Sequence, residues 1–105
     1  MNDEYNTAIH WDGYGDDHEQ SSLVVNAPLL HEIEWHTFAF EWRKSHLRWY
    51  YDGLLVRETE KGEEIPLVPL FTIISGEVKG YWADCNLRTA SWPDYMYVDY
   101  VRIWK

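Results

Sequence analysis

An all-β fold, an antiparallel β-sandwich of the jelly-roll kind, is what this chain predicts, and three observations carry the expectation. Apolar and polar residues alternate with a period of two through most of the sequence, as on strands whose successive side chains point to opposite faces. Aromatic residues are plentiful, with seven Trp, eight Tyr and three Phe among 105 residues, and such rings pack well on a pleated surface. Turn residues cluster between the alternating segments, in "DGYGDD", "NAP", "KGEEIP" and "SWPD", and such clusters punctuate strands. Helical signals are few.

The elements follow in order. "EYNTAIHW" and "SSLVV" read as strands on either side of "DGYGDD". "WHTFAFEW" places His36, Phe38, Phe40 and Trp42 on one face and Trp35, Thr37, Ala39 and Glu41 on the other, which predicts a strand. After the polar link "RKS", the segment "HLRWYYDG" alternates Leu47, Trp49 and Tyr51 against His46, Arg48 and Tyr50. Asp52-Gly53 then supplies a tight turn that accepts positive φ, and "LLVRET" returns as the third strand of a meander. Further strands are expected at "PLFTIISGEV" and "YMYVDYVRIW". No repeat, low-complexity tract or linker interrupts the chain. At 105 residues it is one domain or part of one, because large β-sandwiches often run to roughly 200 to 250 residues.

Charge narrows the partners. Nine Lys and Arg against 18 Asp and Glu leave a formal charge of −9, the wrong sign for attraction to nucleic-acid phosphates or anionic lipid. Neutral polymers meet no such penalty, and Trp and Tyr offer flat apolar faces with polar edges for stacking on a sugar. The same rings serve equally well as a core. Cys85 is the only cysteine, so no internal disulfide forms and compartment is not indicated. No apolar run is long enough to cross a membrane, and "MNDEYNTAIH" lacks a charged-then-apolar leader.

The stretch "HEIEWH" invites two catalytic readings and supports neither. His31 and His36 stand five residues apart, which places them roughly 140° apart around a helix and on opposite sides of a strand, so they do not share a zinc ion. Glu32 and Glu34 begin an alternating acid pattern, but positions 36 and 37 hold His36 and Thr37, where a third acid would be required. The stretch is expected to turn the chain. Asp16 and Asp17 are adjacent in a Gly-rich turn, and Glu58, Glu60, Glu63 and Glu64 read as a solvated loop.

Four motifs in order, "IHWDGYGDDH", "WHTFAFEW" leading to "WYYDG", "FTIISGEV" with "YWAD", and "PDYMYVDYVRIW", make the chain resemble the C-terminal half of glycoside hydrolase family 16. That group includes laminarinases, lichenases and agarases, and has a concanavalin A-like jelly roll. The resemblance spans nearly the whole chain. It implies retaining hydrolysis of O-glycosyl bonds in a β-glucan or galactan by a Glu-x-Asp-x-Glu strand, or the same with one bulge residue, lying just before the segment that matches "NTAIHW". Alternation on that strand aims nucleophile, orienting Asp and acid/base into one cleft, with the two reacting carboxyls roughly 5 to 5.5 Å apart. The pattern is absent from these 105 residues, so the chain alone is expected to be inactive and no residue in it is assigned as catalytic.

The resemblance also implies contacts to substrate. His10 matches a histidine beside the catalytic strand that faces the sugar; the alternative is a histidine paired within the sheet. Trp11 is a second candidate, although on a regular strand it alternates away from His10. Ser75 and Glu77 share a face on a strand placed along the cleft floor, with pairing of Glu77 to Lys79 or Arg88 as the structural alternative. Trp82 is a stacking platform at the rim or a lid over the core. Asp99 matches an aspartate that contributes to a structural calcium in family members; calcium needs six to eight oxygens, most of which the rest of the parent would supply. No cofactor is required. The partner expected is a polysaccharide or oligosaccharide, in a secreted or periplasmic setting. Two roles stay open: a part of a hydrolase, or a self-standing lectin-like module. Exposed sheet edges in a partial sandwich also leave open an edge-paired or swapped homodimer.

Overall fold

The computed structural model describes residues 3–13, 15–32, 35–76 and 95–105. Its contacts divide the chain into two units, Met1–Pro69 and Leu70–Lys105. Among the described residues the five strands lie in the first: β1 (Glu4–Trp11), β2 (Glu19–Asn26), β3 (Phe38–Trp42), β4 (Leu47–Tyr51) and β5 (Leu54–Thr59). A single 3-10 turn, Gly62–Glu64, is the helical element among the described residues. None of them forms a helix long and apolar enough to cross a membrane. The fold is all-β and antiparallel, as expected.

β1 and β2 form a two-stranded ribbon whose ladder runs without a break from Glu4↔Asn26 to Trp11↔Glu19. Burial follows the pleat on β1: Tyr5, Thr7, Ile9 and Trp11 are wholly or partly covered, while Asn6, Ala8 and His10 are exposed. The second sheet is the expected meander β3-β4-β5. Asp52 and Gly53 have φ of 46° and 83°, and they close a two-residue hairpin between the paired residues Tyr51 and Leu54. Positive φ at both central positions is what a type I′ turn needs, and Asp-Gly tolerates it.

One break in register organises the second sheet. Tyr50 pairs with Leu55 but Trp49 pairs with Arg57, which leaves Val56 as a bulge. Beyond it, Arg48 lies between Glu41 on β3 and Glu58 on β5, and Trp49 lies between Phe40 and Arg57. Without the bulge Arg48 would face Arg57, a like-charge pair that destabilises a ladder.

The two sheets meet through β1 and the inward face of the meander. Tyr5 packs edge-on to Phe38 with ring centroids 5.2 Å apart, and Tyr51 lies 6.1 Å from Tyr5. Leu47 and Tyr51 on the central strand are fully buried. On the edge strand β3, however, Phe38, Phe40 and Trp42 remain 55%, 52% and 40% exposed, because the narrow β1–β2 ribbon does not reach across that face.

In the second unit the expected strands at "PLFTIISGEV" and "YMYVDYVRIW" are not formed among the described residues: 70–76 and 95–105 carry no strand. Alternation provides a face for burial but not the neighbouring backbone that a ladder requires. Phe71, Ile73, Tyr97 and Trp104 are exposed, and the Arg102 guanidinium lies over the Tyr100 ring at 4.4 Å.

Candidate functional site

The outward face of the β1–β2 ribbon combines small and hydrogen-bonding side chains. Asn6, Ala8 and His10 on β1 stand beside Val24, Ser22 and Gln20 on β2, all exposed. At the hairpin end His10 Nδ1 lies 3.0 Å from His18 Nε2, and His18 Nδ1 lies 2.5 Å from the Gly13 carbonyl oxygen. The rings stack with centroids 5.1 Å apart. Asp12 and Gly13, with φ of 61° and 75°, turn the loop back beneath them; that region is unfavourable for a residue with a side chain and is tolerated best by Gly, Asn and Asp. Such a face can exchange hydrogen bonds with a hydroxylated ligand without burying a charge.

Other clusters are occupied by structural tasks. His36 Nδ1 lies 2.7 Å from Asp52 Oδ2 and 2.9 Å from Tyr51 Oη, and Tyr51 donates to the Pro28 carbonyl at 2.7 Å. A carboxylate only accepts, so the proton is on Nδ1. The His36 hydrogen bond, then that of the Thr37 N–H, hold the Asp52 carboxyl below the ordinary aspartate range. On the outer face of the meander His46 Nε2 bonds Glu41 at 3.0 Å, and that bond, with Arg48 and Arg43 nearby, lowers the Glu41 carboxyl. Glu64 is lowered by hydrogen bonds from Ser21 and Thr59. A general acid needs its carboxyl raised, so these three carboxylates are held in the opposite state.

Between the sheets Arg57 is buried and donates to the Thr7 carbonyl, the Thr7 hydroxyl and the Ser21 hydroxyl at 2.8, 2.9 and 2.8 Å. Its guanidinium also lies 4.5 Å from the Trp49 ring centroid. No buried side-chain nitrogen or oxygen among the described residues lacks a partner. A groove of about 360 Å³ between β2 and β5 is lined by Leu23, Val24, Val25, Asn26, Leu55 and Val56. It has five aliphatic walls and no ring, a poor match to a sugar. The polar β1–β2 face is the better candidate.

The family model of glycosyl hydrolases family 16 matches residues 1–102. The chain belongs to glycoside hydrolase family 16. Membership carries the jelly-roll sandwich as its fold class. The clotting factor G alpha subunit of Tachypleus tridentatus is 24% identical over 109 residues, covering 99% of this chain and 16% of that protein. The chain therefore spans about a sixth of the length of that relative. No solved structure matches the chain at a significant level.

Within this family 16 chain the site candidates separate. His10 is exposed on the open face of β1 while Trp11 is half-buried on the opposite one, because the ladder stays regular to the end of the strand. Ser75 is exposed in the second unit. Glu77 and Trp82 lie outside the described residues. Asp99 is exposed, and no group of three or more His, Cys, Asp or Glu among the described residues is arranged to hold a metal ion; one carboxylate falls well short of a calcium shell. Glu32 sits in a turn closed by its N–H to the Leu29 carbonyl at 3.0 Å, in keeping with the expectation that "HEIEWH" turns the chain. His18 escaped the sequence reading. Its signal was the hairpin itself, since continuing the β1–β2 register one step past Trp11↔Glu19 brings His18 diagonal to His10.

Proposed function

We propose that this chain is the C-terminal part of a family 16 hydrolase that cleaves a β-glucan or galactan with retention, supplying glycan contacts while the catalytic carboxyls come from another segment of the parent. The carrying observation is His10, exposed on the outward face of β1 and oriented through Nδ1 by His18. Two further facts support the reading. The sequence holds no Glu-x-Asp-x-(x)-Glu pattern, and the carboxyls of Glu41, Asp52 and Glu64 are stabilised as anions by their partners. In the parent, Asp99 would join a structural calcium only with oxygens from other segments, and a secreted or periplasmic setting suits a polysaccharide substrate.

The open polar face also favours a second reading, a lectin-like module, since Asn6, His10, Gln20 and Ser22 offer hydrogen bonds that need no catalytic group. Activity separates the two. Joined to a preceding segment that carries Glu-x-Asp-x-x-Glu, the chain is expected to release reducing sugar from laminarin or agarose, and alone it is expected to release none. Tight oligosaccharide binding by a stable monomer of the chain alone, with no gain on joining, would replace the hydrolase reading by the module. Edge-paired or swapped dimers would favour the hydrolase part, because β3 leaves Phe38 and Phe40 uncovered.

A further inference from the structure

We infer that His18 is a positioning residue: it fixes the tautomer and ring plane of His10 so that His10 presents a bare Nε2 acceptor to a glycan hydroxyl, an inference that rests on the β1–β2 face being the glycan surface. The proton placement follows from a short chain of bonds. The Gly13 carbonyl can only accept, so His18 Nδ1, 2.5 Å away, carries the hydrogen. In the neutral ring His18 Nε2 is then a lone pair. It stands 3.0 Å from His10 Nδ1, so the proton between them belongs to His10. Which ring nitrogen stays bare is set by the bond the other makes, and here that leaves His10 Nε2 as an acceptor on the exposed side of the ribbon.

The rings are stacked as well as bonded, 5.1 Å apart with 29° between planes, which restrains rotation of His10 about χ2. Two consecutive residues of positive φ, Asp12 and Gly13, aim the carbonyl that starts the chain. Backbone held in that region at a residue with a side chain marks a place where the surrounding structure enforces a conformation. The chemical consequence is selectivity. A bare Nε2 takes the O–H of a sugar hydroxyl and rejects a ring or glycosidic ether oxygen, which has no proton to give.

The test reads the proton directly. The ¹⁵N-labelled chain, under conditions where both rings are neutral, is compared with His18→Gln and His18→Phe by long-range proton–nitrogen correlation, and each is titrated with a laminarin oligosaccharide. Gln keeps an acceptor for His10 and a donor for Gly13, whereas Phe keeps only the ring. The wild type and His18→Gln are expected to show His10 protonated on Nδ1. His18→Phe is expected to show it on Nε2, with affinity about fivefold to tenfold weaker, the worth of one hydrogen bond. An Nε2–H tautomer in the wild type, or no change in His18→Phe, would overturn the positioning role. An Nδ1–H tautomer with no measurable oligosaccharide affinity would instead overturn the glycan surface while the proton placement stands.

Discussion

The Arg57 guanidinium donates from Nη1 to the carbonyl oxygen of Thr7 at 2.8 Å, tying the edge strand of the meander to β1 of the ribbon. The same nitrogen reaches the Thr7 hydroxyl, which itself donates to the Leu23 carbonyl at 2.8 Å. One cation thus joins the two sheets beneath the strand that carries His10.

Arg57→Ala is expected to destabilise the first unit by about 3 kcal/mol, the scale for removing a buried charged donor and leaving its acceptors unmatched. Arg57→Lys should recover only part, because a single ammonium cannot reach both Thr7 and Ser21 or stack on Trp49 in the same way. Urea midpoints of the two variants check this. A cost below about 1 kcal/mol for Arg57→Ala would mean that the pin behaves like an exposed pair.

Stability should fall on the acid side. Asp52, Glu41 and Glu64 all have lowered carboxyls in the folded chain, so their contribution is fully present above the unfolded values. It is lost as pH falls through the folded ones, below the ordinary 3.8 for aspartate and 4.5 for glutamate. Asp52→Asn keeps a residue that tolerates positive φ at the turn and removes the charge. Its melting temperature is expected to depend less on pH in that window than the wild type's, and an unchanged dependence would remove Asp52 from the acid limb.

Gly53→Ala isolates the turn. A Cβ at Gly53 would meet no atom within 4 Å, yet φ is 83°, so any cost is conformational. The expected loss is about 1 to 2 kcal/mol, read from the denaturation midpoint with an unchanged slope. No loss would mean that the hairpin relaxes into another turn type.

His10 and Trp11 should divide function from packing. Because they occupy opposite faces of β1, His10→Ala is expected to weaken oligosaccharide binding with little change in stability. Trp11→Ala should lower stability and leave affinity within about twofold, since a half-buried ring contributes through covered apolar area. Calorimetric titration beside thermal melts checks both, and the reverse pattern would move the glycan to the inner face.

Much of this was legible in the sequence for local reasons. Alternation located the five strands of the described residues, and Asp52-Gly53 announced the hairpin between β4 and β5. Ordered motifs, "IHWDGYGDDH" through "PDYMYVDYVRIW", pointed to the family. Three matters waited for the tertiary structure. "LLVRET" reads the same in either register, and only the cross-strand neighbours set the bulge at Val56 that gives Arg48 two acidic neighbours and sends Arg57 inward. The segments at 70–76 and 95–105 carry the alternation of strands but form none among the described residues, since a strand exists only where another backbone pairs with it. His18 gained its meaning from a loop that folds back on His10, since a hydrogen bond depends on distance in space and spacing along the chain does not supply it.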